Sequence, residues 1–233
     1  MILTAHQPLY LPWLGLIHKV ALSDKFCILD GVQFADRDFI HRNKILNTNN
    51  EPRWITIPVY KKNHRSIKIR DTKVLGTEWV DIHLQAMVSA YRQHEYFLDY
   101  YPEIELILKK VKSSYLIDFT VPLAVFILRQ FECFPEISFQ SDFVIDYQKS
   151  DLILELSRLH SATKYFSGAQ GINYLDVNTF RSTGIEIEFQ DFRPLPYKQR
   201  TTSFHAGLSA IDLLFNAGPD SRMQLFRGNI DLI

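Results

Sequence analysis

Cysteine is scarce in this sequence: two residues, Cys27 and Cys133, among 233. They stand far apart in apolar runs and form no Cys-x-x-Cys or Cys/His spacing, which excludes a disulfide scaffold and a zinc module. Buried, reduced thiols are the ordinary reading, and they imply a cytoplasmic protein. Net charge is missing as well. Lys+Arg and Asp+Glu balance at 26 each, so the basic excess of a general nucleic-acid binder is absent. The longest apolar run lies near Phe119–Leu128, between Asp118 and Arg129, far short of the roughly 20 residues a membrane span needs. The opening MILTAHQPLYLPWLG has no basic segment ahead of an apolar one, so it does not read as a secretion signal. No repeat, low-complexity tract or Gly/Ser linker is visible. Walker A, Rossmann and Gly-x-Ser-x-Gly signatures are also absent. None of the eight histidines forms a His-x3-His pair, and no Cys or carboxylate cluster completes a site. The expectation is a protein without metal or other cofactor.

What remains is an ordinary globular composition with an aromatic surplus: 46% apolar, 22% charged and 13% aromatic. A chain of this length buries a sizeable core as one large domain or two small ones. The pattern begins with an apolar strand at 2–5, a helix at 12–21 with proline in its first turn, and an apolar strand at 25–30 that ends in an acid. Strand, helix and strand within 30 residues make a βαβ unit. A short helix is expected at 37–46, alternating strands at 54–59 and 66–70, and a basic loop at 60–65 between them. From Glu78 to Phe134 the spacing is helical, with Pro102 and Pro122 dividing it into three helices. The rest returns to α/β: a possible strand at 137–139, a helix at 152–160 capped by Asp151, a strand at 164–166, a helix at 174–182, a strand at 185–189 and a last helix at 208–216. The expected fold is α/β: a mostly parallel central sheet with flanking helices, forming one domain over 1–233 with a helical subdomain at about 76–135.

Two segments carry candidate chemistry. The first is His6-Gln7-Pro8-Leu9-Tyr10-Leu11-Pro12-Trp13-Leu14-Gly15, continuing to Lys19. It lies where a strand ends and a helix begins, the place where open α/β sheets bind ligands. His6 titrates near neutral pH, Gln7 donates and accepts, and the prolines stiffen the loop. A Pro-rich turn with a capping histidine remains the plainer alternative. The second segment holds Asp30, Val32, Gln33 and Phe34, then Arg37, Arg42, Asn43 and Lys44. It is dense in hydrogen-bonding groups, and Arg42 and Lys44 suit phosphate or carboxylate. A solvated amphipathic helix is the alternative here. On a helix Arg42 and Lys44 point roughly 200° apart, so only one of them meets a given anion, and Arg42 is the better placed.

Weaker signals follow. Trp79 and His83 share a helix face, which reads first as aromatic packing. Ser167-Gly168-Ala169-Gln170-Gly171 is either a tight turn or a phosphate-touching loop. Ser209 and Asp212 read as capping and loop-fixing groups ahead of a nucleophile pair.

Taken together, the two polar segments resemble the WbqC-like proteins. The shared pattern comprises His6, Gln7, Pro8, Tyr10, Pro12, Trp13, Gly15 and Lys19, then Asp30, Val32, Gln33, Phe34, Arg42, Asn43 and Lys44. It continues in Trp54 with Pro58-Val59, in Tyr197 and Gln199, and in Leu208, Ser209, Asp212, Leu214, Phe215, Asn216 and Gly218. The resemblance implies a place in surface-glycan precursor assembly. The activity it suggests is transfer of an acyl or aminoacyl group to a nucleotide-activated amino sugar. In that reading His6 is general base or donor and Asp30 orients it. Gln7, Tyr10, Trp13, Lys19, Gln33, Arg42, Asn43, Lys44, Tyr197 and Gln199 hold the substrate. A non-catalytic ligand-binding or assembly protein of the same pathway is the second reading. A nucleotidylyl-transferase-like protein is the third, although Tyr10 and Trp13 stand where such enzymes carry histidines. The partner expected is a small molecule, a nucleotide sugar, rather than nucleic acid or a membrane. The 6–15 and 30–43 segments are expected to share one cleft, and the 197–216 segment to return to it.

Overall fold

Short apolar runs bounded by charge form the strands of this chain. The computed structural model describes residues 1–60 and 66–229. Strand β1 (Ile2–His6) leads through helix α1 (Leu14–Ala21) to β2 (Lys25–Ile28), which lies parallel beside it with Ile28 opposite His6. The chain then leaves the sheet to form a hairpin, β3 (Arg42–Leu46) and β4 (Pro52–Thr56). Three helices follow: α2 (Glu78–Tyr91), α3 (Phe97–Lys110) and α4 (Ile117–Gln130). It returns as β5 (Glu136–Phe139), parallel to β2 on its outer side. Helix α5 (Lys149–Leu159) carries it across to β6 (Lys164–Ser167) on the other flank of β1. Helix α6 (Val177–Ser182) leads outward again to β7 (Glu186–Phe189), and α7 (Ala210–Ala217) and α8 (Ser221–Phe226) close the described chain.

The five-stranded sheet therefore runs β5-β2-β1-β6-β7, all parallel. Strands added before α5 grow away from β1 on one side, and strands added after it grow away on the other. This reversal places a topological switch point between β1 and β6, where the loops leaving the two strands turn to opposite faces and open a crevice.

Each face of the sheet buries its own cluster. Leu3, Ala5 and Cys27 face Leu152, Ile153, Leu156 and Phe180 from α5 and α6. Phe26 and Ile28 face the larger cluster, built from α1, the hairpin, α2–α4, α7 and α8. Alternate residues of β2 thus go to opposite clusters, as the two-residue period of a strand demands. The helices α2–α4 share this larger core with α1 and α7 and do not enclose one of their own. Full burial of each large apolar side chain contributes roughly 1.5–3 kcal/mol. Both cysteines are buried free thiols, pushed up to about 12 and 11 by burial.

Several expectations are revised. Residues 42–46 are a strand, not the end of a short helix. Asn47 Oδ1 accepts from the N–H groups of Asn49 and Glu51, and Asn50 takes φ 61°, so the Asn-rich stretch is a hairpin turn. On a strand, residues two apart share a face. Arg42 and Lys44 therefore lie on one side, both over the Trp54 ring at 4.2 and 5.1 Å, while Asn43 points inward. Ser66–Arg70 is not a strand: only the bridge between Gln33 and Lys68 forms, followed by a 3-10 turn at Ile69–Asp71. Pro102 and Pro122 lie inside α3 and α4, so the breaks fall elsewhere. Each proline forfeits a single N–H bond, which the packing around it outweighs. Asp151 lies in the first turn of α5, whose N-cap is Gln148. Residues 61–65 of the expected basic loop lie outside the described residues.

Asn43 is the hairpin's link to the sheet. Fully buried, it donates from Nδ2 to the Leu11 carbonyl and accepts at Oδ1 from Lys44 N–H at 2.7 Å. Leucine at this position fills the volume but leaves both backbone groups unpaired. Asn43→Leu is expected to lower stability by about 2–4 kcal/mol, read as a shift of the urea midpoint. Lys44→Met, on the outer face, is expected to cost less than about 1 kcal/mol.

Candidate functional site

The loop from Gln7 to Trp13 leaves β1 at the switch point and is held in place by distant partners. Tyr10 N–H donates to the Phe39 carbonyl at 3.2 Å, Asn43 bonds the Leu11 carbonyl, and Ala210 N–H donates to the Pro12 carbonyl at 2.8 Å. Leu11 takes φ 49°, an unfavourable backbone for a branched residue. The hydrogen bond to its carbonyl and its complete burial hold it there. Tyr10 is fully buried, its hydroxyl 2.9 Å from His83 Nδ1 and its ring edge-on to Trp79.

Behind this loop a two-lobed cleft opens at the carboxyl ends of β1, β6 and β7. One lobe, of about 280 Å³, lies between Trp13, Gly15, Leu16 and the residues Gln190 and Phe192 that follow β7. The other, of about 260 Å³, reaches Gln7, Leu29, Ser167 and Tyr174. His6, Lys19 and Gly168 line both. A larger cavity of about 540 Å³ lies among the helices near Val80, Leu108 and Phe119. Its charged groups, Asp81, Lys109 and Lys112, are exposed to solvent, and Lys109 is paired with Glu105 at 2.6 Å, so size does not decide the site.

Lys19 is the unusual group. Its side chain is buried at 3% exposure, and Nζ donates to the Ala5 carbonyl at 3.0 Å. Burial disfavours the ammonium and lowers its pKa from an ordinary 10.5 to about 7. His6 is pulled much further, to about 3, by burial first and by the Lys19 charge second, against a smaller opposing effect of its bond to Gln7. His6 Nδ1 lies 2.9 Å from the Gln7 carbonyl. A carbonyl only accepts, so Nδ1 carries the proton and Nε2 keeps its lone pair. At neutral pH His6 is then an uncharged imidazole that orients by hydrogen bonding, and the group that gains and loses a proton near pH 7 is Lys19.

The remaining walls are built from several elements. Gln190 Nε2 donates to the Gly15 carbonyl at 2.8 Å and lies 3.0 Å from His18 Nδ1. The His18 ring packs against Phe192 at 4.8 Å with the planes tilted by 36°, and its pKa is lowered to about 4 by burial. The loop after β7 is thereby pinned onto α1. Trp13 is 36% exposed and lies edge-on to Phe192. A Cβ on Gly15 would come within 2.1 Å of the Trp13 ring, so the glycine is what lets the indole lie against α1.

Of the expected site residues, His6, Gln7, Trp13 and Lys19 meet at this cleft. The others lie elsewhere. The carboxylate of Asp30 is buried and accepts from Ser141 N–H at 3.0 Å and Ser141 Oγ at 2.6 Å, fixing the turn after β5. Asn43 and Tyr10 lie in the frame. Arg42 and Lys44 cover Trp54, and Gln33 lies on a separate cavity beyond β2. Tyr197 and Gln199 do not reach the cleft. The Tyr197 hydroxyl donates to Asp212 Oδ2 at 2.6 Å and Gln199 Nε2 donates to the same oxygen at 2.8 Å. Ser209 caps α7 through Ile211 N–H. The 197–216 segment therefore docks on the loop after β1, through Ser209 and Ala210, without entering the cleft. The chain pattern had not singled out Gln190, Phe192 or Tyr174. The turn at 167–171, seen there as a possible phosphate loop, forms one wall.

Fold and cleft together define a doubly wound α/β protein with a polar crevice at its switch point. The chain belongs to the WbqC-like protein family, whose sequence pattern matches residues 7–224. It is similar to the Uncharacterized protein Rv1507c of Mycobacterium tuberculosis (strain ATCC 25618 / H37Rv), 29% identical over 216 residues, covering 92% of this chain and 93% of that protein. No solved structure matches. Among the described residues no helix is long and apolar enough to cross a membrane.

The Lys19 shift carries a stability consequence. The unfolded chain holds this proton up to about 10.5 and the folded chain releases it near 7. Between those values the unfolded state binds one more proton, so stability rises with pH; below about 7 the full cost of a buried ammonium is present. Lys19→Met removes that cost. Its stability relative to the parent is expected to be most favourable at pH 6. That advantage should shrink by roughly 2–4 kcal/mol towards pH 10, measured by urea unfolding at pH 6, 8 and 10. A pH-independent difference would show that Lys19 titrates normally.

Proposed function

We propose that this protein is a transferase of surface-polysaccharide precursor assembly, acting in the cytoplasm. It moves an acyl or aminoacyl group onto the amine of a nucleotide-activated amino sugar at the β1/β6 crevice. The observation that carries this reading is the buried amine of Lys19 beside the neutral imidazole of His6. Both line a cleft walled by Trp13 and Phe192. The family is compatible with polysaccharide chemistry, and the free, buried thiols suit a reducing compartment.

In the proposed reaction the sugar amine attacks the carbonyl carbon of an activated acyl donor, a thioester or acyl phosphate. A C–N bond forms, and the bond to the leaving group breaks with its electron pair departing on that group. The attacking nitrogen must lose a proton. Lys19 in its neutral form accepts it and passes it to the leaving group, a task suited to a base whose pKa lies near the working pH. His6 orients the acceptor through Nε2, and Gln7 and Gln190 fix the polar ends. The turn at 167–171, which walls the cleft, is assigned the developing oxyanion. Tyr10 and Asn43 hold the loop that carries Gln7, while Asp30, Tyr197 and Gln199 fix other turns. Arg42, Lys44 and Gln33, outside the cleft, are given no part in the chemistry.

A non-catalytic ligand-binding protein is the second reading. It is favoured by one observation: Lys19 Nζ and His6 Nδ1 are both engaged with backbone carbonyls. The two readings separate in one experiment. The protein is incubated with a panel of nucleotide amino sugars and activated acyl and aminoacyl donors, and products are followed by mass spectrometry. The expected result is a mass gain equal to the acyl group, with a rate that rises through one ionisation near pH 7. Lys19→Met should lower that rate at least about a hundredfold. Ligand affinity without product in the parent protein would favour the binder, and full turnover by Lys19→Met would reject the proton role.

A further inference from the structure

A cavity of about 450 Å³ opens at the carboxyl ends of β2 and β5, next to the switch-point cleft. Val32 lines both this cavity and the nearer lobe of that cleft, so the two lie side by side along one edge of the sheet. The proposed chemistry leaves this cavity without a role.

One buried group in its wall is incompletely partnered. Gln140 is 8% exposed, and its Oε1 has no hydrogen-bond partner among the described residues. An amide oxygen left so has lost its bond to water without gaining another. Its amide lies against Gly31, where an added Cβ would come within 2.9 Å of Gln140 Cδ. Gly31 has no positive φ, so the glycine serves space rather than backbone conformation. Beside Gln140 the cavity ends at the start of α5. That helix runs eleven residues, and its N-cap, Gln148, supplies no side-chain hydrogen bond. Lys149, its first residue, takes φ 51°; the N–H groups of a helix start, with the dipole behind them, are a place where anions bind. Among the described residues Lys68 and Lys149 line the same space with one acid, Asp146, and Asp151 lies in the first turn of α5. Tyr147, 55% exposed, offers an aromatic face.

We propose that this cavity is a second ligand seat and that its ligand is a phosphorylated sugar. The phosphate sits at the start of α5 between Lys149 and Lys68. The hydroxyls meet the amides of Gln140 and Gln148, with one hydroxyl donating to Gln140 Oε1, and the ring lies on Tyr147. This placement rests on the transferase reading for one point only: the sugar's reacting group extends past Val32 towards Lys19, while the acyl donor occupies the Trp13–Phe192 lobe. Amides, an aromatic face and a phosphate seat recognise the sugar phosphate part of a nucleotide sugar as well as a free sugar phosphate.

Calorimetry with glucosamine 1-phosphate, and separately with inorganic phosphate, on the full chain tests the seat. The parent is expected to bind the sugar phosphate at least tenfold more tightly than phosphate. Gln140→Leu and Lys149→Met should each weaken that binding at least tenfold, and Lys44→Met, over Trp54 on the hairpin, should change it less than twofold. Lys149 lies at the start of α5, so its variant keeps the test valid should Gln140→Leu disturb folding. No binding by the parent overturns the proposal. So does equal affinity for inorganic phosphate, or a loss on Lys44→Met with none on Lys149→Met. The transferase reading fails separately. If the binding pattern holds while no donor yields product, the seat stands and the acyl transfer falls.

Discussion

The fixing of the loop between β1 and α1 is the constraint on which the site depends. Seven residues, Gln7 to Trp13, cross the carboxyl edge of a parallel sheet with mostly buried backbone, and a buried N–H or C=O without a partner is costly. The loop cannot pair with itself, since Pro8 and Pro12 lack N–H groups and Leu11 takes φ 49°. Its partners come from far along the chain: the Phe39 carbonyl, the Asn43 amide, and the N–H of Ala210 at the head of α7. Ser209 N–H in turn donates to the Lys44 carbonyl at 2.9 Å, which ties hairpin and helix to each other as well as to the loop. Three segments more than 25 residues apart in the chain meet at this junction and fix one wall of the cleft.

This explains why so many polar residues of the chain are structural. Asp212 is a buried carboxylate whose pKa is raised by burial, opposed by the bonds from Tyr197 and Gln199. It holds the 197–205 loop against α7 and never reaches the cleft. Asp30 does the same for the turn after β5. Buried charges of this kind need several donors each, so they gather hydrogen-bonding side chains around them. A linear reading sees the resulting clusters as candidate active sites. The cleft itself is less polar, with indole and phenyl walls around one amine and one imidazole. That dryness is what shifts Lys19 and His6 in the same direction, each towards its neutral form.

The switch-point crevice and the cavity at the start of α5 share an edge because parallel topology sends every strand out towards the same rim. β1, β6 and β7 deliver His6, the 167–171 turn and Gln190 to one lobe, while β2 and β5 deliver Gly31 and Gln140 to the next. An arrangement that brings two polar spaces together at one rim suits a reaction between two molecules.

The sequence by itself determined the parallel βαβ start, the helical middle and the α/β return, because hydrophobic period and punctuation are local properties that each segment carries alone. It also picked out the 6–19 stretch, since a His-Gln-Pro turn between strand and helix declares its position in any such sheet. Periodicity was misleading at 37–46, where Arg42 to Leu46 fits a helix or a strand equally until Pro52–Thr56 arrives to pair with it. Only the tertiary structure decided which polar residues share a space. Lys19 and His6 meet Gln190 and Gly168 across more than 140 residues of chain, while Asp30, Asn43 and Tyr197, equally prominent in the sequence, turn inward to satisfy buried backbone and side-chain groups. The physical reason is that strand ends are brought together by sheet order, and sheet order is set by long-range pairing that no short window of residues contains.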